Sequence, residues 1–280
     1  MLERRQIQRV VDMALEEDAP FGDLTSQTLV PATAIARAQL VAREPGVLAG
    51  AEVFAIAMTT LDPYVEVTLH TADGDAFETG AVLADVVGPA RAVLQAERVG
   101  LNLVQRMTGI ATLTRTYVEA VAGTSARVVD TRKTTPGLRA LERHAVRCGG
   151  GHNHRYSLSD AVMAKDNHLA VIPDLTAALR QAREDLPHTT HIEVEVDRLE
   201  QLDAVLDSGA AGTIMLDNFS LVDLRTGVEQ IAGRALVEAS GGITLDTIGD
   251  VARTGVDVIS VGALTHSVRA LDLGLDITVS

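Results

Sequence analysis

Tryptophan is absent and aromatic residues make up only 2% of the 280-residue chain, so ring stacking can contribute little to ligand recognition. The single cysteine, Cys148, excludes an intramolecular disulfide framework and fits a reducing compartment. No run of about 18 apolar residues occurs, so no spanning helix is expected. The first residues, MLERRQIQRVVDMALEED, read as an amphipathic helix without the apolar core and small-residue cleavage site of a secretory signal. Long polar or low-complexity runs are missing as well, which argues against disorder. Positive charge is in short supply, with 24 Lys and Arg against 38 Asp and Glu, a net −14. That balance opposes general affinity for nucleic acid or an anionic membrane surface. A soluble cytoplasmic protein of one large or two modest domains is the expectation.

What is present is unevenly placed. Between Arg127 and His168 stand eight basic residues (Arg127, Arg132, Lys133, Arg139, Arg143, Arg147, Arg155, Lys165) and four acids. This window carries +4 while the rest of the chain carries −18. Four of the eight histidines (His144, His152, His154, His168) share it. A basic island in an acidic protein suits a small anionic ligand, or else marks a solvated basic face.

From about residue 113 onward, short apolar runs alternate with amphipathic helical stretches. The runs are Arg127–Asp130, Ala161–Lys165, Ile192–Val196, Thr213–Asp217, Leu236–Ser240 and Val258–Gly262. The last four begin 21 to 23 residues apart, the length of a strand, a helix and two turns. Such a pattern predicts right-handed βαβ units around a buried parallel sheet. An incomplete (β/α) barrel is the simplest closure, and a doubly wound open sheet is the competitor. The first 110 residues instead read as an α/β layer with antiparallel strands near Ala34–Arg43, Tyr64–Thr71 and Ala81–Val87, after a helix at about Glu3–Glu16. The expected division is 1–110 and 111–268, with 269–280 returning to the first part as an edge strand. Two helices broken near Gly109 are expected to bridge them.

The residues at or just after the barrel strand ends are informative. RVVD runs into Thr131, Arg132 and Lys133; the next ends on Lys165; IEVEV carries Glu195; TIMLD ends on Asp217, LVEAS on Ser240 and VISVG on Gly262. In parallel α/β folds the C-terminal strand ends surround the ligand site, so these side chains should converge. An acid after a strand can also serve as a helix N-cap, which Asp217 could be; Lys165 and Glu195 are poor caps. The turns at Ser240-Gly241-Gly242 and at Gly262 can present backbone N–H groups to a phosphate. Glu195 and Asp217 offer hard oxygens of the kind Mg²⁺ takes, directly or through water. Cys148, His152 and His154 raise the question of zinc, but Cys-x₃-His-x-His matches no common zinc spacing.

The segment DTRKTTPGLRALERHAVRCGGGHNHRYSLSDAVMAKDNH, followed by EVEV, LDN, SGGI and VGALTHS, resembles the quinolinate phosphoribosyltransferase family. FGDLTS and AREPGVLAG extend the likeness to the N-terminal part. The resemblance implies an N-terminal α/β sandwich domain and an incomplete α/β barrel. It implies a homodimer in which one subunit covers the other's barrel mouth. It further implies transfer of phosphoribose from phosphoribosyl pyrophosphate to quinolinate with loss of CO₂, giving nicotinate mononucleotide for NAD biosynthesis.

By the same resemblance Arg132, His154, Arg155 and Lys165 bind quinolinate, with Arg98 reaching in from the other subunit. Lys133 lies near the ribose and pyrophosphate, and Thr131 is a further substrate-binding residue. Glu195 and Asp217 hold the ribose hydroxyls and Mg²⁺, while Ser240, Gly241, Gly242, Gly262 and His266 serve the 5′-phosphate. Lys133, Lys165, Glu195 and Asp217 are the expected catalytic set. Two other readings stay in view: a barrel aldolase with Lys165 as Schiff-base nucleophile, and a non-catalytic anion-binding relative, against which the intact Lys165-Asp166-Asn167-His168 argues.

Overall fold

The computed structural model describes residues 2–279. They divide into two compact units. The first takes the chain up to Arg115, the segment Thr134–Gly150 and the stretch from Leu264 onward; the second takes Thr116–Lys133 and Gly151–Ala263. The strands, in chain order, are β1 (Ile35–Ala42), β2 (Gly46–Val47), β3 (Glu66–Leu69), β4 (Ala76–Phe77), β5 (Val82–Pro89), β6 (Arg127–Val129), β7 (Val162–Ala164), β8 (Ile192–Val196), β9 (Thr213–Asp217), β10 (Leu236–Ser240), β11 (Val258–Ser260) and β12 (Leu273–Val279).

In the first unit an antiparallel sheet runs β12-β1-β5-β3. β1 alternates exposed and buried residues, and its inward set (Ala36, Ala38, Leu40, Ala42) joins Leu83, Val86, Phe54 and Met58 in the core. Phe54 and Met58 come from the helix Ala51–Thr59, which is apolar around most of its circumference and accordingly buried. Each such side chain stabilises the unit by about 1.5–3 kcal/mol. The N-terminal helix, Arg4–Asp18, buries Ile7, Val10, Val11 and Leu15, a single stripe at helical spacing. The C-terminal segment does return as an edge strand, β12 beside β1.

Two features depart from the sequence reading. The break at Gly109 does not exist: Ala90–Ala120 is one continuous helix. Glycine is needed there for proximity, because a Cβ on Gly109 would lie 2.2 Å from the carbonyl oxygen of Arg269, where the returning chain crosses the helix. The segment Thr134–Gly150, with its helix Arg139–Cys148, belongs to the first unit. Polar contacts tie it there. Buried Glu142 accepts from Arg106 at 2.6 Å and from the backbone N–H of Thr135 at 3.1 Å, and His144 Nε2 sits 2.6 Å from Asp73 Oδ2.

The second unit is a parallel sheet in the order β6-β11-β10-β9-β8-β7. Consecutive strands from β7 to β11 are neighbours, joined by helices such as Leu175–Asp185, Leu221–Ile231 and Leu245–Ala252. β6 pairs with β11, which curls the order back on itself, but β6 and β7 do not pair, so the barrel is incomplete. The gap is partly filled by main chain. His152 bridges to β6, its N–H donating to Val128 at 2.8 Å and its carbonyl accepting from Asp130 at 3.1 Å.

Candidate active site

Strand alternation determines what the barrel interior contains. On β8 the residues Ile192, Val194 and Val196 are buried on one face, which leaves Glu193 and Glu195 on the other. The pairing register carries that face across the sheet: Glu195 stands opposite Met215, Met215 opposite Glu238, and Asp217 opposite Ser240. On β7 Ala164 pairs with Val194, which places the next residue, Lys165, beside Glu195. The interior is therefore polar where most barrels pack branched aliphatic side chains.

These side chains open into a cavity of about 390 Å³, lined entirely by the second unit. Arg132, Lys133, His154, Arg155 and Lys165 supply its basic side, Glu195 and Asp217 its acidic side. Thr131 and Ser240 line it too, so nine of the expected residues converge there. Met163, Met215 and Ser260 complete the wall. The expectation that strand ends share one mouth holds for these residues. Gly241 and Gly242 follow Ser240 directly, both at positive φ (91° and 61°), and Gly262 lies two residues after β11. Arg98 and His266 belong to the first unit; both are exposed, Arg98 on the helix Ala90–Ala120 and His266 with Nδ1 2.6 Å from Ser267 Oγ.

The basic side is built for anions. Burial and the neighbouring Arg132 charge both lower the pKa of Arg155, so two guanidinium groups are held close together. The buried Nε of Arg132 has no hydrogen-bond partner. Crowded like charges and an unsatisfied buried donor are costly unless an anion completes them. Lys165 Nζ makes an ion pair with Glu195 Oε2 at 2.6 Å. A Schiff-base nucleophile must be a neutral amine, so an ammonium held by a carboxylate disfavours the aldolase reading.

His154 is placed unlike the others. Its Nε2 lies 3.1 Å from Glu193 Oε2 and 3.4 Å from Glu238 Oε2, and its Nδ1 receives the backbone N–H of Arg155 at 2.7 Å. Both ring nitrogens are thus spent within the protein. Burial would depress the His154 pKa, but hydrogen bonds and charges from Glu193 and Glu238 raise it and hold the Nε2 proton in place. Burial raises the pKa of Glu238, with His154 opposing. A second ring proton at Nδ1 would face the Arg155 N–H, so the ring keeps its proton on Nε2 while that contact stands.

Glu193 and Glu238 escaped the sequence reading. The signal was present in the alternation IEVEV and LVEAS, where an acid occupies the inward parity one step below the strand end. Two groups of His, Cys, Asp or Glu among the described residues bring three ligand atoms within 4.8 Å of one another: Asp73, His144 and Cys148, and His154, Glu193 and Glu238. The zinc grouping of Cys148 with His152 and His154 is not among them. Cys148 Sγ instead lies 3.4 Å from His144 Nε2, and burial with the nearby Asp73 charge pushes its thiol up to about 12. Glu195 and Asp217 come from adjacent strands and line the same cavity. One oxygen of each is engaged, by Lys165 and by Asn218 Nδ2 at 2.6 Å. As hard oxygen donors lining one cavity, they fit Mg²⁺, which uses few protein ligands and keeps several waters.

An incomplete α/β barrel whose strand ends gather cations against two carboxylates defines a barrel enzyme for anionic substrates. Residues 110–276 match the family described as quinolinate phosphoribosyl transferase, C-terminal domain, and residues 23–108 match its N-terminal domain. The chain belongs to the quinolinate phosphoribosyltransferase family. It is 47% identical over 271 residues to the nicotinate-nucleotide pyrophosphorylase [carboxylating] of Mycobacterium leprae, covering 94% of each chain. It is 43% identical over 275 residues to the protein of Bacillus subtilis named as a probable enzyme of that kind, covering 98% of this chain and 94% of that one. Among solved structures it is similar to NadC from Streptococcus pyogenes (TM-score 0.93, 40% identity, 99% of both chains) and to the nicotinate-nucleotide pyrophosphorylase of Francisella tularensis (TM-score 0.94, 35% identity, 99% and 98%).

Proposed function

We propose that this chain transfers the phosphoribosyl group of phosphoribosyl pyrophosphate to the ring nitrogen of quinolinate, releasing pyrophosphate and CO₂ and leaving nicotinate mononucleotide for NAD synthesis. One observation carries the reading: Arg132, Arg155 and Lys165 share a single cavity with Glu195 and Asp217. A pyridine dicarboxylate needs several cations to replace its water, and Arg offers the fork geometry that carboxylates match. Across the cavity, the two acids suit the ribose hydroxyls and the positive charge that develops on the sugar as pyrophosphate leaves. Lys133 and Thr131, just past β6 and lining the cavity, would serve the ribose and the departing pyrophosphate. The Ser240-Gly241-Gly242 turn and Gly262 would receive the 5′-phosphate on backbone N–H groups, with His266 assisting. Once the ring nitrogen carries the new bond, its positive charge stabilises the electron pair left on the adjacent ring carbon as the carboxylate departs as CO₂. The ring carbon then takes up a proton.

Glu195 and Asp217 would hold Mg²⁺, directly or through water, and bound there it would neutralise pyrophosphate as a leaving group. We further propose a cytoplasmic homodimer in which Arg98 of one subunit completes the partner's quinolinate site. The exposed position of Arg98 supports it. No helix among the described residues is long and apolar enough to cross a membrane.

The test is an assay of purified protein with quinolinate, phosphoribosyl pyrophosphate and Mg²⁺, following nicotinate mononucleotide. Turnover with quinolinate and not with nicotinate is expected; equal use of nicotinate would refute the dicarboxylate reading. Mixing Arg98→Ala with Lys165→Ala subunits should restore part of the activity that each lacks alone. If no activity returns, the shared site is wrong.

A further inference from the structure

The barrel gap leaves the segment after residue 150 without a strand partner on one side, yet this segment carries Arg155. Side chains from three strands or strand ends hold it instead. Asp130, directly after β6 and fully buried, accepts the backbone N–H of His154 at 2.8 Å and Asn153 Nδ2 at 2.5 Å. Glu193 on β8 and Glu238 on β10 converge on His154 Nε2. His154 Nδ1 then holds the main chain of Arg155, whose Nη1 donates to the carbonyl of Ala161 at 3.1 Å.

The direction of this chain of contacts follows from chemistry. A backbone N–H can only donate, so Nδ1 must be the acceptor and Nε2 must carry the proton. One N–H shared between two carboxylates fixes the ring plane as well as its position. The Glu193 charge also reaches the Arg155 guanidinium. Two buried acids beneath an anion site would weaken anion binding by repulsion alone, and each retains a buried oxygen without a partner. Placing them there is unfavourable unless they secure something else.

We propose that Glu193 and Glu238 are positioning residues for quinolinate recognition, acting through His154 to hold Arg155 in its carboxylate-reading orientation. His154 in this role turns its nitrogens away from the substrate and toward the protein. The inference rests on the quinolinate reading of the cavity and adds to it which residues set the acceptor subsite.

Steady-state kinetics on Glu238→Ala, Glu193→Ala and the corresponding Gln variants test it. Gln keeps an oxygen that accepts from Nε2, so it should rescue. The Ala variants should raise KM for quinolinate at least tenfold while KM for phosphoribosyl pyrophosphate changes less than twofold; Gln should recover most of the loss. Equal rises in both KM values, or a folded Ala variant with quinolinate KM within twofold of wild type, would overturn the proposal. Should the Ala variants fail to fold, ¹⁵N NMR of the wild-type imidazoles decides without substrate. An unprotonated Nδ1 on His154 is expected, and a protonated Nδ1 refutes the chain of contacts. Failure of wild-type protein to turn over quinolinate would strike the functional reading alone, because the ring tautomer is measured independently of it.

Discussion

Lys165 and Glu195 meet across adjacent parallel strands, Nζ to Oε2 at 2.6 Å, at the level where the basic and acidic sides of the cavity touch. The lysine side chain is 42% exposed and the glutamate 12%, so the pair contributes under about 1 kcal/mol to stability after solvent screening. Lys165→Ala should therefore unfold within a few degrees of wild type on thermal scanning while losing roughly 10²–10³-fold in quinolinate turnover. Near-normal turnover would remove Lys165 from the reaction.

Glu142 makes the opposite prediction. It is 1% exposed, and its partners Arg106 and the Thr135 N–H belong to the unit that packs around it. Glu142→Ala removes the counter-charge of Arg106, which is 30% exposed and keeps its hydrogen bonds to Thr135 Oγ1 and the Thr265 carbonyl, and it orphans the Thr135 N–H. Denaturant titration should show a loss of about 1–3 kcal/mol in that unit. A loss below about 1 kcal/mol would mean that water replaces the carboxylate.

Gly241 sits at φ 91° with Asn218 Oδ1 only 2.2 Å from where a Cβ would be. A side chain there meets both backbone strain, about 1–3 kcal/mol, and a direct clash that shifts Asn218 beside Asp217. Gly241→Ala should raise KM for phosphoribosyl pyrophosphate more than KM for quinolinate. The reverse ranking in steady-state kinetics would move the phosphate cradle elsewhere.

Cys148 should be a poor nucleophile in the folded protein. Burial and the Asp73 charge hold its thiol protonated up to about 12, so iodoacetamide at pH 8 should label it slowly until urea is added. The linkage has a definite sign. Its contribution to stability is complete below pH 9, where both states keep the proton. It falls between pH 9 and about 12, as the unfolded chain ionises first. Rapid labelling of native protein at pH 8 would contradict this burial.

Removing divalent cations tests the pairing of Glu195 with Asp217. EDTA should abolish turnover reversibly, and Asp217→Asn should raise the Mg²⁺ concentration needed for half-maximal rate. Full activity in excess EDTA would show that these acids serve the ribose alone.

Much of the barrel is legible in the sequence. β8, β9 and β10 begin and end where the apolar runs IEVEV, TIMLD and LVEAS do, because a strand buried against helices leaves a continuous apolar signature. Lys165, Glu195, Asp217 and Ser240 were legible for a related reason: strand ends must face the mouth. Gly109 misled, since a glycine that breaks a helix and one that admits a crossing chain look alike in one dimension. The helix Ala51–Thr59 was missed because an all-round apolar stretch has no periodicity to detect.

By itself the sequence determined the local periods, the polar residues Lys165, Glu195, Asp217 and Ser240 at or beside strand ends, and the family motif around Arg132 and Lys165, all of which depend on neighbours along the chain. Only the tertiary structure decided that Glu193 and Glu238 grip His154, that Thr134–Gly150 packs with the first unit, and that β6 and β7 stay unpaired. Those outcomes depend on parity and register between strands far apart in sequence, where a shift of one residue would turn every inward carboxylate out of the barrel.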